Sequence, residues 1–138
     1  MKLVIDASVA LKWVLDPIDE PGAGAASQLL RRLRGSYGLL VAPVHWFAEV
    51  IAVVARREPG RVDDTITLLY ALDVDVVDGP ALLARAARLS SLLEHHLFDT
   101  LYHAAAIMHD ATLVTADERY HARAFALGNI RLLGHGEP

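Results

Sequence analysis

Short apolar runs of the kind that form buried strands alternate with helical patterns along the chain, and this alternation constrains the fold more than any other feature. Four such runs and a candidate fifth occur at residues 3–5, 39–42, 74–77, 112–115 and 130–133. Helices are expected from Ser8 onward and over residues 23–34, 44–57, 62–72, 80–93, 98–109 and 118–127. Strands that alternate with helices predict a parallel sheet with right-handed crossovers. The sequence therefore predicts an α/β fold, a parallel sheet of four to five strands flanked by helices in an α/β/α sandwich.

The length and composition indicate one domain with a substantial core. A chain of 138 residues buries roughly two-thirds of its unfolded surface on folding. No repeat, low-complexity segment or interdomain linker is found, so residues 1–138 are expected to form a single domain. The absence of cysteine excludes disulfides, thiolate metal sites and cysteine nucleophiles.

No segment of the sequence has the character of a membrane span or a secretory signal. The longest apolar run, residues 39–55, is interrupted by Pro43, His45 and Glu49. At the N-terminus, Asp6 interrupts the apolar stretch before a signal-peptide core can form. We therefore expect a cytoplasmic protein with no membrane partner.

The charge of the chain is mildly acidic, with 17 acidic and 13 basic residues and a net charge of -4. Proteins that bind nucleic acid usually carry an overall basic charge, so this balance is a mild argument against such a partner. The arginines are nevertheless grouped, at residues 31–34, 56–61, 85–88 and 119–123. A solvated helix face is the simpler explanation of each group.

Two aspartates follow predicted strands at the edge of the sheet where ligands bind in folds of this class. Asp6 directly follows the first strand, and Asp117 lies two residues beyond the strand at 112–115. In a parallel α/β sheet the ligand site lies beyond the carboxyl ends of the strands. Each aspartate also precedes a predicted helix, so a helix-capping role explains either one alone equally well.

Two further acids, Glu49 and Asp99, are expected at the same end of the sheet. Glu49 lies beside Trp46 on the flank of the apolar stripe of its helix, so it faces the rest of the fold. Asp99 lies in the first turn of an alanine-rich helix, where it could also cap the helix or favour its positive end. Four separate segments thus each direct a carboxylate to one edge of the sheet.

Four converging carboxylates require a cation, because two unit charges about 4 Å apart repel by about 4 kcal/mol at an effective dielectric constant of about 20. Protonation would neutralise them only through raised pKa values. Hard divalent ions such as Mg²⁺ or Mn²⁺ suit a site of oxygen ligands and water. Such ions activate a bound water and stabilise the charge that develops when a phosphate ester is hydrolysed. The acids therefore indicate metal-assisted phosphodiester hydrolysis.

Four motifs occur in an order and spacing that match a known family. They are D-A-S at residues 6–8, P-x-x-W-x-x-E-V at 43–50, F-D-x-x-Y at 98–102 and L-V-T-A-D-E-R at 113–119. Each motif alone is weak, but the four in this order across nearly the whole chain are specific. The sequence resembles the PIN-domain ribonucleases and, within them, the VapC-type toxins of type II toxin–antitoxin systems. The resemblance implies a single PIN-like domain.

The resemblance also implies a site, a substrate and partners. The pocket that would bind one or two Mg²⁺ or Mn²⁺ ions and cut RNA is implied to consist of Asp6, Glu49, Asp99 and Asp117. Ser8 and Thr115 would be auxiliary polar residues near the metal, although a helix-start hydroxyl and a strand-end threonine explain them as well. The family further implies a homodimer and a cognate antitoxin protein whose tail covers the pocket.

Two features depart from the family pattern. Ala52 stands where many relatives carry an asparagine shortly after the motif glutamate, so an auxiliary polar contact is expected to be missing. The net negative charge also leaves RNA binding to local arginines. The best candidate is Arg119 in the last motif, followed by Arg123 one helical turn further and Arg56 on the helix of the motif glutamate.

Three alternatives remain open from the residues alone. A receiver-like Mg²⁺-binding signalling domain would need a lysine after a late strand, whereas Lys2 and Lys12 are the only lysines of the sequence. A phosphatase of the haloacid-dehalogenase type would need a second aspartate two residues after Asp6, where Ser8 stands. A catalytically weak PIN-fold module that binds RNA or protein would keep the fold without turnover.

The histidines suggest a zinc site less strongly than the acids suggest magnesium. His95 and His96 precede the predicted helix of Asp99, and His103 follows Asp99 by four residues, a spacing that permits an Asp–His metal pair. No HxxxH or HExxH pattern occurs, however, and histidines at helix ends are common.

Overall fold

Five strands form one parallel sheet in the computed structural model, which describes residues 1–135: β1 (Lys2–Ile5), β2 (Leu40–Pro43), β3 (Val74–Val77), β4 (Ala111–Thr115) and β5 (Ile130–Leu132). Their spatial order is β3-β2-β1-β4-β5. Strand β1 is central, with Val4 paired to Val41 of β2 and to Leu113 of β4. The predicted parallel sheet is confirmed, and the candidate fifth strand forms one of its edges.

The strand order contains a topological switch point between β1 and β4. The chain moves from β1 outward to β2 and β3, and then returns to the other side of β1 to form β4 and β5. In open α/β sheets, the crevice at such a point, beyond the carboxyl ends of the strands, is where ligands bind. The residues that follow Ile5 and Thr115 therefore occupy the position at which the fold most readily forms a site.

Seven helices flank the sheet within residues 1–135: α1 (Ala7–Val14), α2 (Ala23–Arg34), α3 (His45–Arg57), α4 (Val62–Ala71), α5 (Pro80–Leu93), α6 (Leu97–Met108) and α7 (Glu118–Ala124). All seven predicted helices are present. The largest difference is at α7, for which the sequence predicts an end at residue 127. The helix ends at Ala124 and continues as a 3₁₀ turn over Phe125–Leu127, before Gly128 turns the chain with a φ of 78°.

Strand β1 and helix α6 lie at the centre of the core. Leu3, Val4 and Ile5 are fully buried, and so are the three alanines at residues 104–106 of α6. These small side chains allow α6 to pack closely across β1, β2 and β4. Two residues separate the end of α6 from the start of β4, so α6 ends at the amino edge of the sheet. Its first turn, with Asp99, consequently lies at the carboxyl edge.

Among the helices of residues 1–135, none combines the length and the apolar character that crossing a bilayer requires.

Candidate active site

Asp6 is both the N-cap of α1 and a member of the candidate site. Its Oδ1 accepts a hydrogen bond from the backbone N–H of Val9 at 3.3 Å and another from the hydroxyl of Ser8 at 2.6 Å. Ser8 Oγ in turn accepts the backbone N–H of Ala116 at 3.0 Å. Because Ala116 follows β4, Ser8 links the carboxyl ends of the two strands that flank the switch point. The capping explanation of Asp6 is therefore correct, and it fixes the orientation of the carboxylate.

Asp117, like Asp6, is both a helix N-cap, here of α7, and a member of the candidate site. Its Oδ1 accepts the backbone N–H of Tyr120 at 3.0 Å, which makes it the N-cap of the helix. The backbone N–H of Asp117 donates to Oγ1 of Thr115 at 3.0 Å, and Thr115 is fully buried at the end of β4. The two auxiliary polar residues of the sequence prediction thus hold the segments that carry Asp6 and Asp117.

Glu49 reaches the site from α3 and is held there by Tyr102 of α6. The phenolic hydroxyl of Tyr102 donates a short hydrogen bond to Oε1 of Glu49. Tyr102 is buried, and the ring of His45 packs against it with a centroid distance of 4.6 Å. Burial first, and then the neighbouring charge of Glu49, raise the pKa of Tyr102 far above its ordinary value. The phenol therefore remains a hydrogen-bond donor to Glu49 at any physiological pH.

Asp99 lies in the first turn of α6 but does not cap the helix. The N-cap position belongs to His96, whose side chain makes no capping hydrogen bond. Instead, Oδ2 of Asp99 lies 2.8 Å from Nε2 of His95, with 41% of the Asp99 side chain and 14% of the His95 side chain exposed. The expectation that Asp99 could cap its helix is therefore wrong, because its carboxylate points away to His95.

The four predicted acids line one cavity of about 230 Å³. It is enclosed by residues from α1, α3, α6 and the start of α7, among them Asp6, Ser8, Glu49, Asp99, Tyr102 and Asp117. Burial raises the pKa of Asp6 to about 6. Hydrogen bonds from Ser8, Thr115 and Val9 oppose this rise, and repulsion by Asp99 adds to it. Ionisation of Asp6 is thus disfavoured mainly by burial, with a smaller contribution from the charge of Asp99.

A larger groove of about 680 Å³ adjoins this cavity, and Asp99 and Asp117 line both. Arg119 and Arg123 also line the groove. Arg119 is exposed in α7, whereas Arg123 Nη1 donates to the carbonyl oxygens of Leu93 at 3.3 Å and Glu94 at 3.0 Å. Arg123 therefore stabilises the C-terminal end of α5 as well as facing the groove.

Arg56, the third arginine of the sequence prediction, lies farther from the acids. It is exposed on α3, seven residues and thus about 10 Å along the helix axis from Glu49. It is not among the residues that line either the cavity or the groove.

The histidine that pairs with Asp99 is His95 rather than His103. Ligand atoms of His95, Asp99 and Asp117 all lie within 4.8 Å of one another. His103, whose spacing suggested a pair with Asp99, lies instead in the core, where its Nε2–H donates to the carbonyl oxygen of Gly128 at 2.8 Å. Its Nδ1 consequently accepts the hydroxyl of Tyr120 at 2.8 Å, and burial lowers the pKa of this histidine.

Comparison with known proteins gives one family and several structural relatives. A family model described as PIN domain matches residues 3–126. No curated protein matches the sequence. A crystal structure of PAE2754 from Pyrobaculum aerophilum is similar over 96% of this chain and 90% of that chain, with a TM-score of 0.69 and 14% sequence identity.

Two further solved structures are similar to the same extent. VapC20 from Mycobacterium tuberculosis, described as a toxin that cleaves the sarcin-ricin loop, matches with a TM-score of 0.67 and 16% identity, over 90% of this chain and 96% of that one. VapBC2 from Rickettsia felis, bound to a DNA fragment from the promoter, matches with a TM-score of 0.67 and 17% identity, over 96% and 97% of the two chains. At these identities the likeness shows the fold.

Proposed function

The chain belongs to the PIN domain family, and on that premise we propose that it is a metal-dependent endoribonuclease that acts as the toxin of a toxin–antitoxin pair. The observation that carries the proposal is the convergence of Asp6, Glu49, Asp99 and Asp117 on one cavity at the switch point of the sheet. Family membership favours this function over the receiver-like and phosphatase-like alternatives. The proposal takes residues 1–138 as one functional domain that acts in the cytoplasm.

The donor set of the cavity fits Mg²⁺ or Mn²⁺. Its acidic ligands offer only carboxylate oxygens, which hard divalent ions prefer, and the pKa of Asp6 is raised mainly by burial and further by repulsion from Asp99. The residues that would hold the ion are Asp6, Glu49, Asp99 and Asp117. When bound, such an ion lowers the pKa of a coordinated water and stabilises the negative charge of a phosphodiester under attack.

The other residues of the site position these acids. Ser8 and the backbone of Val9 both donate to Oδ1 of Asp6 and so fix the orientation of its carboxylate, which lines the cavity. The Tyr102 hydroxyl restricts the carboxylate of Glu49 in the same way. Carboxylates held in advance lose less conformational freedom when they bind an ion or activate a water, which favours both steps.

The groove supplies a path for a single-stranded or looped RNA. It continues from the acidic cavity, because Asp99 and Asp117 line both spaces, and Arg119 offers a guanidinium to a phosphate beside them. The proposal is therefore that the RNA backbone lies along the groove and its reacting phosphate enters the acidic cavity.

A cognate antitoxin and a second copy of the chain are the proposed protein partners. The likeness to VapBC2 supports an antitoxin partner, and a negatively charged cavity is suited to a basic side chain of such a partner.

An apolar cleft of about 570 Å³ between α3, α4 and β3 supports a homodimer, since it leaves Val44, Ile66 and Tyr70 exposed. Sedimentation of the chain alone tests the dimer, and a search for an antitoxin reading frame beside the gene tests the pairing.

Cleavage of a labelled RNA in Mg²⁺ or Mn²⁺, with EDTA and variants as comparisons, tests the enzymatic function. The parent should cut the RNA only with metal, and Asp6→Ala should abolish cleavage. Asp75→Ala is the matched control, because Asp75 is exposed on the edge strand β3. Undiminished cleavage by Asp6→Ala, or cleavage in EDTA, would show that the acidic cavity is not the active site. Metal binding without any RNA cleavage would favour the binding-module alternative.

A further inference from the structure

His95 is held rigidly at the junction of the acidic cavity and the groove. Its backbone N–H donates to the carbonyl oxygen of Ser90 at 3.1 Å, and its own carbonyl oxygen accepts the hydroxyl of Ser90. Its ring packs against Tyr120 with a centroid distance of 4.8 Å. The preceding residue, Glu94, has a φ of 51°, which turns the chain sharply after α5. These contacts direct the imidazole at Asp99 with little freedom to move.

His95, Asp99 and Asp117 place three possible ligand atoms for one cation close together. Nε2 of His95 and Oδ2 of Asp99 are 2.8 Å apart, and all three ligand atoms lie within 4.8 Å of one another. In an octahedral ion with bonds of about 2.1 Å, adjacent ligands are about 3 Å apart and opposite ligands about 4.2 Å apart. The separation of His95 and Asp99 is thus close to that of adjacent ligands, and movement of the Asp117 side chain brings its carboxylate onto the same ion.

We propose that His95 is a metal ligand that, together with Asp99 and Asp117, forms a mixed nitrogen–oxygen site selective for Mn²⁺ over Mg²⁺. An imidazole nitrogen suits transition ions, whereas Mg²⁺ strongly prefers oxygen. The use of the site in catalysis rests on the proposed function, but the binding of the ion does not. The site shares Asp99 and Asp117 with the four-acid cavity but adds His95, which lines only the groove, whereas Asp6 and Glu49 line only the inner space.

The hydrogen bond between His95 and Asp99 does not prevent coordination. A carboxylate only accepts, so Nε2 carries the proton in the bond seen here. A neutral imidazole with its proton on Nδ1 presents the Nε2 lone pair to the same place. Exchange of tautomer thus converts the hydrogen-bonded pair into two adjacent ligands of an ion.

The test compares two glutamine variants in the full chain. In His95→Gln the amide N–H can still donate to Asp99, so an orienting role would be preserved, but the imidazole ligand is removed. His96→Gln is the matched control, because His96 is the exposed neighbour in the same groove and makes no capping hydrogen bond. Calorimetric titration gives the affinities for Mn²⁺ and Mg²⁺, and pulsed electron paramagnetic resonance of bound Mn²⁺ detects a coordinated nitrogen.

The parent and His96→Gln should bind Mn²⁺ with a nitrogen coupling in the resonance spectrum. His95→Gln should lose that coupling and at least about tenfold in Mn²⁺ affinity, with less than a threefold change for Mg²⁺. A parent spectrum without nitrogen coupling, or equal losses of Mn²⁺ and Mg²⁺ affinity, would overturn the proposal. Cleavage of RNA in Mg²⁺ by the same preparations shows separately whether the proposed nuclease function stands.

Discussion

The hydroxyl of Tyr102 donates a hydrogen bond to the carboxylate of Glu49, and so joins α6 to α3 across the acidic cavity. The two residues are 53 positions apart in the chain. Tyr102 is buried by the packing of α6, whereas Glu49 is only partly buried and faces the cavity. A core residue thus fixes one wall of the candidate active site.

Tyr102→Phe should therefore reduce activity more than stability. The carboxylate of Glu49 would be freed to rotate, and removal of such a supporting partner typically costs roughly tenfold or more in metal affinity or activity. Because water can replace the phenol at this partly exposed carboxylate, the free energy of unfolding should fall by only about 1 kcal/mol.

Initial rates of RNA cleavage measure the effect of Tyr102→Phe on activity, and urea unfolding measures its effect on stability. Tyr37→Phe, at a tyrosine that is 93% exposed, should change neither. Parental activity in Tyr102→Phe would exclude a positioning role for the phenol.

The raised pKa of Asp6 predicts a pH-dependent gain of stability in Asp6→Asn. Its ordinary pKa is 3.8 and its value in the folded protein is about 6, so the folded state binds the proton more tightly than the unfolded state. Ionisation of Asp6 therefore destabilises the fold. The cost is absent below about pH 3.8, grows up to about pH 6, and above that amounts to about 3 kcal/mol. In EDTA, Asp6→Asn should raise the free energy of unfolding by about 1–3 kcal/mol at pH 7.5 and not at pH 4, since asparagine also caps helices well.

Denaturant unfolding of Asp6→Asn across this pH range is to be compared with Asp75→Asn, whose exposed side chain should give a difference that does not vary with pH. Saturating Mg²⁺ should reduce or abolish the advantage of Asp6→Asn, because the four-acid cavity of the parent binds the ion more tightly and a ligand bound at 100 times its Kd adds about 2.7 kcal/mol to the stability of the protein that binds it. A gain from Asp6→Asn that is equal at pH 4 and pH 7.5 would contradict the raised pKa of Asp6 in the folded protein.

Much of this arrangement could be predicted from the sequence because it depends on local patterns. The apolar runs and helical periods located the five strands and seven helices, and the rule that ligands bind at the carboxyl edge placed Asp6 and Asp117 together. Glu49 followed from its position beside Trp46 on the helix. Asp6 caps α1 and also lines the cavity, so the capping role does not compete with its predicted role in the site.

The partners of these acids could not be predicted, because they depend on how distant segments pack. The spacing of Asp99 and His103 suggested a pair, yet the face of α6 that carries His103 is buried against Tyr120 and Gly128. His95 reaches Asp99 only because Glu94 adopts a left-handed conformation, for which a glutamate gives no sequence signal. Local periodicity also gives no signal for the hydrogen bond between Tyr102 and Glu49.

Arg119→Gln should weaken RNA binding and reduce its dependence on salt. Arg119 lines the groove beside the acidic cavity, and removing one interaction with a phosphate lowers the slope of log affinity against log salt by about 0.7 for single strands. Fluorescence anisotropy with a short RNA in EDTA, at several salt concentrations, measures this without cleavage. Arg88→Gln, at an exposed position of α5 outside the groove lining, should bind as the parent does, and Arg56→Gln should have a smaller effect than Arg119→Gln. An Arg119→Gln protein with the affinity and salt slope of the parent would remove this arginine from the RNA path.

Tyr120→Phe should destabilise the fold without affecting metal binding. The Tyr120 hydroxyl donates to Nδ1 of His103, whose Nε2–H is already committed to the carbonyl oxygen of Gly128. The substitution leaves a buried acceptor without a donor, which costs about 1–3 kcal/mol of the free energy of unfolding. Phenylalanine retains the ring that packs against His95, so the Mn²⁺ affinity should change less than about twofold. Urea unfolding and calorimetric titration, with Tyr37→Phe as the exposed control, measure both quantities. A variant of parental stability that binds Mn²⁺ weakly would assign the hydroxyl to the metal site instead of the core.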